Sequence, residues 1–212
     1  MEDTYNATQW CFKPSFNGKE LLTQTYRLVL AAFSAVVVSL ALLANSSVIF
    51  VLVKTEQLHN TSLRLLLLLS ISDCLFAAIG GTSYCFILME NLHHRYCTLE
   101  LVAEFSLILF GRLSAYILVL IAFDRYCRIK YLTGYSQVFS KKRTYIGITV
   151  THLLALSIPT LKLCGRKYDN DTLLEVARIM SKILDICVLS LGITVYILAI
   201  KSTKKHRKSA QI

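Results

Sequence analysis

The chain has 212 residues, of which 55% are hydrophobic and 17% charged, and its mean hydropathy is +0.55. That balance lies outside the soluble globular range, and 8 Gly and 2 Pro argue for helix and against a barrel or sandwich. The formal charge of +10 would suit nucleic acid if it lay on one soluble face, but the basic residues flank apolar runs, where they set topology; no nucleic-acid partner is expected.

In chain order, residues 1–26 form a polar segment with no apolar core ahead of a small-residue cleavage site. It is read as an extracellular segment rather than a removable signal peptide. The first apolar run, about 28–53, carries no charge and reads as an uncleaved signal anchor and first span. Further runs at about 65–89, 99–123, 144–162 and 183–200 predict an all-α membrane protein, a bundle of five spans within residues 27–201. Residues 202–212 make a basic tail. Arg125, Arg128, Lys130, Lys141, Lys142 and Arg143 crowd the segment after the third run, and Lys201, Lys204, Lys205, Arg207 and Lys208 follow the fifth. The density of Lys and Arg there puts both segments on the cytoplasmic side and the N-terminus outside.

With that orientation the glycosylation triplets at Asn6 and Asn170 fall outside, whereas those at Asn45 and Asn60 lie in a span and an inside loop. Cys74, Cys127 and Cys187 read as small apolar residues. Cys11, Cys85, Cys97 and Cys164 sit on or near the oxidising face, and the residues alone do not choose a pairing among them. His93, His94 and Cys97 are the densest metal-like cluster, but their spacing suits no standard site and reads as a solvated loop. No metal or cofactor is expected.

Polar residues inside the spans carry the most information, because each costs free energy unless paired or facing a wet cavity. Asp73 sits mid-span in LLLLLSISDCLFAAIG, with Asn45 28 positions before it and Arg125 52 after it. Arg125 belongs to the triplet Asp124-Arg125-Tyr126 at the inner end of the third run. This register resembles the rhodopsin-like G-protein-coupled receptor family across its first five helices.

The resemblance implies a plasma-membrane, multi-pass receptor that senses an extracellular ligand and couples to a heterotrimeric G protein through Asp124, Arg125 and Tyr126. In that family the Arg is held by the adjacent Asp and, on activation, extends into the cavity that takes a G-protein tail helix. A planar guanidinium on a long stem suits such an exchange of partners. The resemblance also implies that Asn45, Asp73 and Ser114 form an intramembrane polar site. There the family binds sodium with further residues from its seventh helix, and carboxylate and hydroxyl oxygens suit a hard cation. It implies a Cys97–Cys164 bridge tying the second outside loop to the top of the third helix. Leu107 stands where aminergic members carry an acid, so an amine ligand is not expected.

Arg112 lies mid-span and requires a partner. Glu104 is two turns away on the same helix, rather far for a direct bond. Receptor-like packing, with the third and fifth helices facing one another, points to Asp185; the other reading is direct contact with an anionic ligand. The family's Trp of the fourth helix is absent, with His152 near its place, and Val188 replaces the Pro of the fifth. Tyr196 resembles the family's inner tyrosine on that helix. No apolar run follows Ile200, so the expectation is the N-terminal five-helix portion of a receptor. The alternative is a truncated, non-signalling isoform that forms an oligomer with full-length receptors. Clustered catalytic groups and internal repeats are not visible, which sets enzyme and transporter readings behind these.

Overall fold

The computed structural model describes residues 24–55, 60–89, 97–131, 135 and 140–209; Asn6, Cys11, His93 and His94 lie outside that set. The described residues form five helices long and apolar enough to cross a membrane, with no strand among them. They are α1 (Gln24–Lys54), α2 (Thr61–Met89), α3 (Cys97–Lys130), α4 (Lys141–Lys167) and α5 (Asp171–Ser209).

The helices run past the apolar windows at several ends. The third was expected over 99–123 and extends to Lys130, so Asp124-Arg125-Tyr126 lies one to two turns inside α3 rather than at its terminus. The fourth was expected over 144–162 and the fifth over 183–200, but α4 continues to Lys167 and α5 starts at Asp171. Hydropathy windows stop at the first cluster of charge, whereas helices stop where their terminal backbone groups find other partners. Asn60 caps α2 by accepting from the Ser62 amide, and Ser140 caps α4 by accepting from the Arg143 amide at 3.4 Å. Between α4 and α5 the turn is only Tyr168–Asn170. The Asn170 amide donates to the Gly165 carbonyl and the Asp169 amide to that of Arg166, with Asp169 at φ 49°, which is a Schellman closure. Asn170 Oδ1 then accepts from the Leu173 amide and starts α5.

Helices pair the backbone of each span internally, as a bilayer requires, with Pro159 inside α4 removing one donor. Hydroxyls in α1 do the same locally: Ser39 donates to the Ala35 carbonyl at 2.8 Å and Ser47 to that of Leu43 at 2.7 Å.

α3 is the hub, packed against α2, α4 and α5, while α1 leans on α2. Its Leu113, Tyr116 and Ile117 form a buried cluster with Ala155 of α4, flanked by Leu68 and Leu69 of α2 and Val188 of α5. The α2 helix loosens to a π-turn over Phe76–Gly81. A Cβ on Gly80 would stand 2.8 Å from Leu107 Cδ2, and one on Gly81 2.5 Å from Val38 Cγ2, so this pair lets α2 close on α3 and α1 together. α1 and α5 are the edges, and most of their large apolar side chains face outward.

Candidate functional site

At the inner end of α3 the Asp124 side chain is fully buried, at 0% exposure. A carboxylate there needs hydrogen bonds and charge, and it has both. Ser62 from the start of α2 and the Tyr135 hydroxyl donate to its two oxygens. Arg128 Nε lies 3.2 Å from Oδ2, and Arg128 Nη2 reaches Asn60 Oδ1 at 2.7 Å. The Arg128 guanidinium also rests 4.7 Å above the Tyr135 ring centroid.

The resemblance implied that Asp124 holds Arg125. The structure pairs it with Arg128 instead, because residues four apart share a helix face and adjacent ones point about 100° apart. Arg125 is exposed and, among the described residues, has no hydrogen-bond or ion-pair partner. Tyr126 is half-buried beside Phe123, with Lys130 5.4 Å over its ring.

Halfway through the bundle, Ser114 donates to Asp73 Oδ1 at 2.5 Å and lies 3.1 Å from Ser72 Oγ. Ser72 in turn donates to the Phe110 carbonyl at 3.2 Å, stitching α2 to α3. Asn45 does not join them. Its Nδ2 turns back to the Ala41 carbonyl of α1 at 3.0 Å, the local bond an amide finds in an apolar helix. The structure thus brings Asp73 and Ser114 together and leaves Asn45 apart.

About half a turn outward, Arg112 is buried and crosses to α5. Its Nη2 lies 3.0 Å from Asp185 Oδ2, 2.5 Å from Ser181 Oγ and 3.3 Å from the Ser181 carbonyl. Among the described residues its buried Nη1 has no partner, and neither does the buried hydroxyl of Tyr116 one turn below. Both residues border an open cleft of about 530 Å³ between α3 and α5 that Leu107 and Val188 also line.

At the outer end, Glu104 of α3 meets Lys162 at 3.5 Å and Arg166, both on α4. Cys164 is an exposed free thiol in the last turn of α4, not in a loop. The Cys97 side chain, the other half of the implied bridge, lies outside the described set. His152 Nδ1 lies 2.7 Å from the Ile148 carbonyl of its own helix.

The profile of the family described as "7 transmembrane receptor (rhodopsin family)" matches residues 44–211, most of the chain. The chain is a member of that family. It is 24% identical over 143 residues to "Rhodopsin, GQ-coupled" of Mizuhopecten yessoensis, covering 65% of this chain and 28% of that protein. The crystal structure of squid rhodopsin superposes with a TM-score of 0.75 at 19% identity, covering 94% of this chain and 60% of that one. This receptor sequence therefore spans less than two thirds of the length of either relative. Membership places it among multi-pass membrane receptors rather than enzymes.

Several residues of the receptor's sites were not singled out from the sequence. Arg128 carried a signal, its four-residue spacing from Asp124. Ser62 and Tyr135 carried none, since both reach Asp124 from other segments. Ser181, a turn before Asp185, was hidden among neutral hydroxyls.

Proposed function

We propose that the chain senses an extracellular ligand and couples to a heterotrimeric G protein at the inner end of α3, with its N-terminus outside the plasma membrane. One observation carries the coupling reading: Asp124 is neutralised by Arg128 and hydrogen-bonded by Ser62 and Tyr135, so Arg125 beside it stands exposed, with no partner among the described residues. A guanidinium in that condition has all five donors available for the carbonyls at the end of an incoming helix. Asp73 and Ser114 act in this reading as the polar link that registers α2 against α3 and transmits movement between the two ends. In this reading the ligand enters from the outer side, and the cleft between α3 and α5 lined by Leu107 and Arg112 is the candidate place for it.

The test is direct. The full chain in lipid nanodiscs is titrated with a fluorescent peptide copying the C-terminal helix of a G-protein α-subunit. Arg125→Ala should weaken binding at least about tenfold, the loss expected of charge-assisted hydrogen bonds. Equal affinity of the wild type for the peptide and for its scrambled form would sink the reading.

A further inference from the structure

The two ends of α4 handle charge differently. At the outer end Lys162 and Arg166 are both engaged with Glu104. At the inner end Lys142 is exposed, and among the described residues no ion pair includes it. α4 carries no Asp or Glu at all, and Asp124, the carboxylate at that end of α3, is wholly buried under Arg128. An open groove of about 560 Å³ descends from Lys142 along the helix, lined by Tyr145, Ile146, Thr149 and Val150. Steps of three and four residues put these side chains on one exposed strip, which starts where the apolar run begins. The Tyr145 hydroxyl accepts from Arg64 Nη1 of α2 at 3.1 Å. Its own hydrogen has no acceptor among the described residues. Lys142 and Tyr145 are thus two accessible donors on the rim of one groove whose remaining wall is mostly apolar.

We propose that this groove seats one phospholipid whose headgroup is anionic and carries no ammonium, as in phosphatidylglycerol. The phosphate accepts from the Lys142 ammonium and the Tyr145 hydroxyl, and an acyl chain lies along Ile146, Thr149 and Val150. The volume of about 560 Å³ lies within the ordinary range for ligand sites. Position selects a lipid over a free phosphate, because the strip runs from the membrane surface into the hydrocarbon. Charge selects the headgroup. Choline and ethanolamine lipids carry a phosphate too, but their ammonium would meet Lys142 and Arg64 and find no carboxylate on α4. In the proposed orientation the groove opens to the cytoplasmic leaflet, where anionic lipids concentrate.

The readout is local to the groove. Trp10 is the sole tryptophan of the sequence, so Trp10→Phe combined with Leu153→Trp leaves one indole, at an exposed position a turn beyond Thr149 and Val150. The full chain is placed in nanodiscs of phosphatidylcholine and phosphatidylglycerol in varied ratio, with bromine on the chains of one lipid and then of the other. Quenching of the indole gives the relative affinity of the two lipids beside it. Phosphatidylglycerol should be favoured about threefold to fivefold, the attraction of one surface lysine. Lys142→Gln should bring the ratio close to one, and Tyr145→Phe should lower it about twofold. Lys54→Gln removes the same charge from the same end of α1 and should leave the ratio unchanged. All three are exposed positions, so folding is not at stake. Phosphatidylserine, equal in net charge but bearing an ammonium, should bind more weakly than phosphatidylglycerol. A ratio of one in the unsubstituted groove overturns the proposal. So does an equal loss in Lys54→Gln, which would reduce the effect to bulk charge, or phosphatidylserine matching phosphatidylglycerol. Both leaflets hold the same mixture, so the result stands whichever way the chain is inserted, and its failure leaves the coupling reading intact.

Discussion

Asp124 is where a single residue decides the most. A fully buried carboxylate with three donors depends on the positive charge that Arg128 sets against it. Arg128→Met keeps the stem and removes the charge. Because Arg128 is 36% exposed and partly screened, the loss should be about 1–3 kcal/mol rather than the larger cost of breaking a fully buried pair. Adding Asp124→Asn removes the stranded charge, so the double variant should melt above Arg128→Met alone in a thermal unfolding series. If the double variant melts lower, Arg128 does not neutralise Asp124. Tyr135 reports on the same contact through pH. Burial, and then its bond to Asp124, push its phenol from the ordinary 10 up to about 12. The folded value lies above the unfolded one, so this bond's contribution is complete below about pH 10 and disappears as pH rises through about 12. Subtracting the tyrosinate absorbance titration of Tyr135→Phe from that of the intact chain should isolate one phenol with a midpoint near 12; a midpoint near 10 would mean the hydroxyl does not hold Asp124. Little of this network could be read from the sequence. Asp124 and Arg125 stood out as charges closing an apolar run, but Ser62 and Tyr135 are ordinary residues until the fold places them against a carboxylate.

The helices themselves were far easier to read than their ends. Five runs long enough to cross a bilayer are a property of composition, and five such helices form. Their termini depend on caps, and the asparagine that starts α5 sits among residues a hydropathy window treats as loop. Asp169 is harder still, since nothing marks it as the residue that takes a left-handed conformation. Gly80 and Gly81 stand side by side in the second apolar run, and the packing gives the pair a purpose. α2 must approach α1 and α3 at the same level, with Val38 on one side and Leu107 on the other. Gly81→Ala should therefore cost about 1–3 kcal/mol through overpacking, although alanine is the better helix former. Val38→Ala opens space for the new methyl, so combining the two should recover most of the loss. Thermal unfolding of the two single variants and the double in one detergent gives the coupling energy. Additive effects would show that Gly81 and Val38 do not meet.

At the scale of the molecule, the two ends of the bundle differ in how they handle charge, and the proposed orientation depends on which end faces out. One end buries Asp124 under Arg128 and sets Arg64 Nη1 3.1 Å from the Tyr145 hydroxyl. The other holds Glu104 between Lys162 and Arg166, with the α4–α5 turn above them. Lys and Arg are dense around the first end and along the last turns of α5, and in the proposed orientation that end faces the cytoplasm. Cys164 then points outward from the opposite end, exposed and with its thiol free. A membrane-impermeant maleimide applied to intact cells should label it without prior reduction, and the signal lost in Cys164→Ser is the part due to this residue. Labelling that requires permeabilisation would reverse the orientation, and Arg125 would face away from any G protein. Labelling that requires a reductant would show Cys164 held in a disulfide rather than as the free thiol of the structure. Labelling of intact, unreduced cells leaves the α4–α5 turn as the structure has it and Arg125 on the cytoplasmic side, where the peptide titration can reach it.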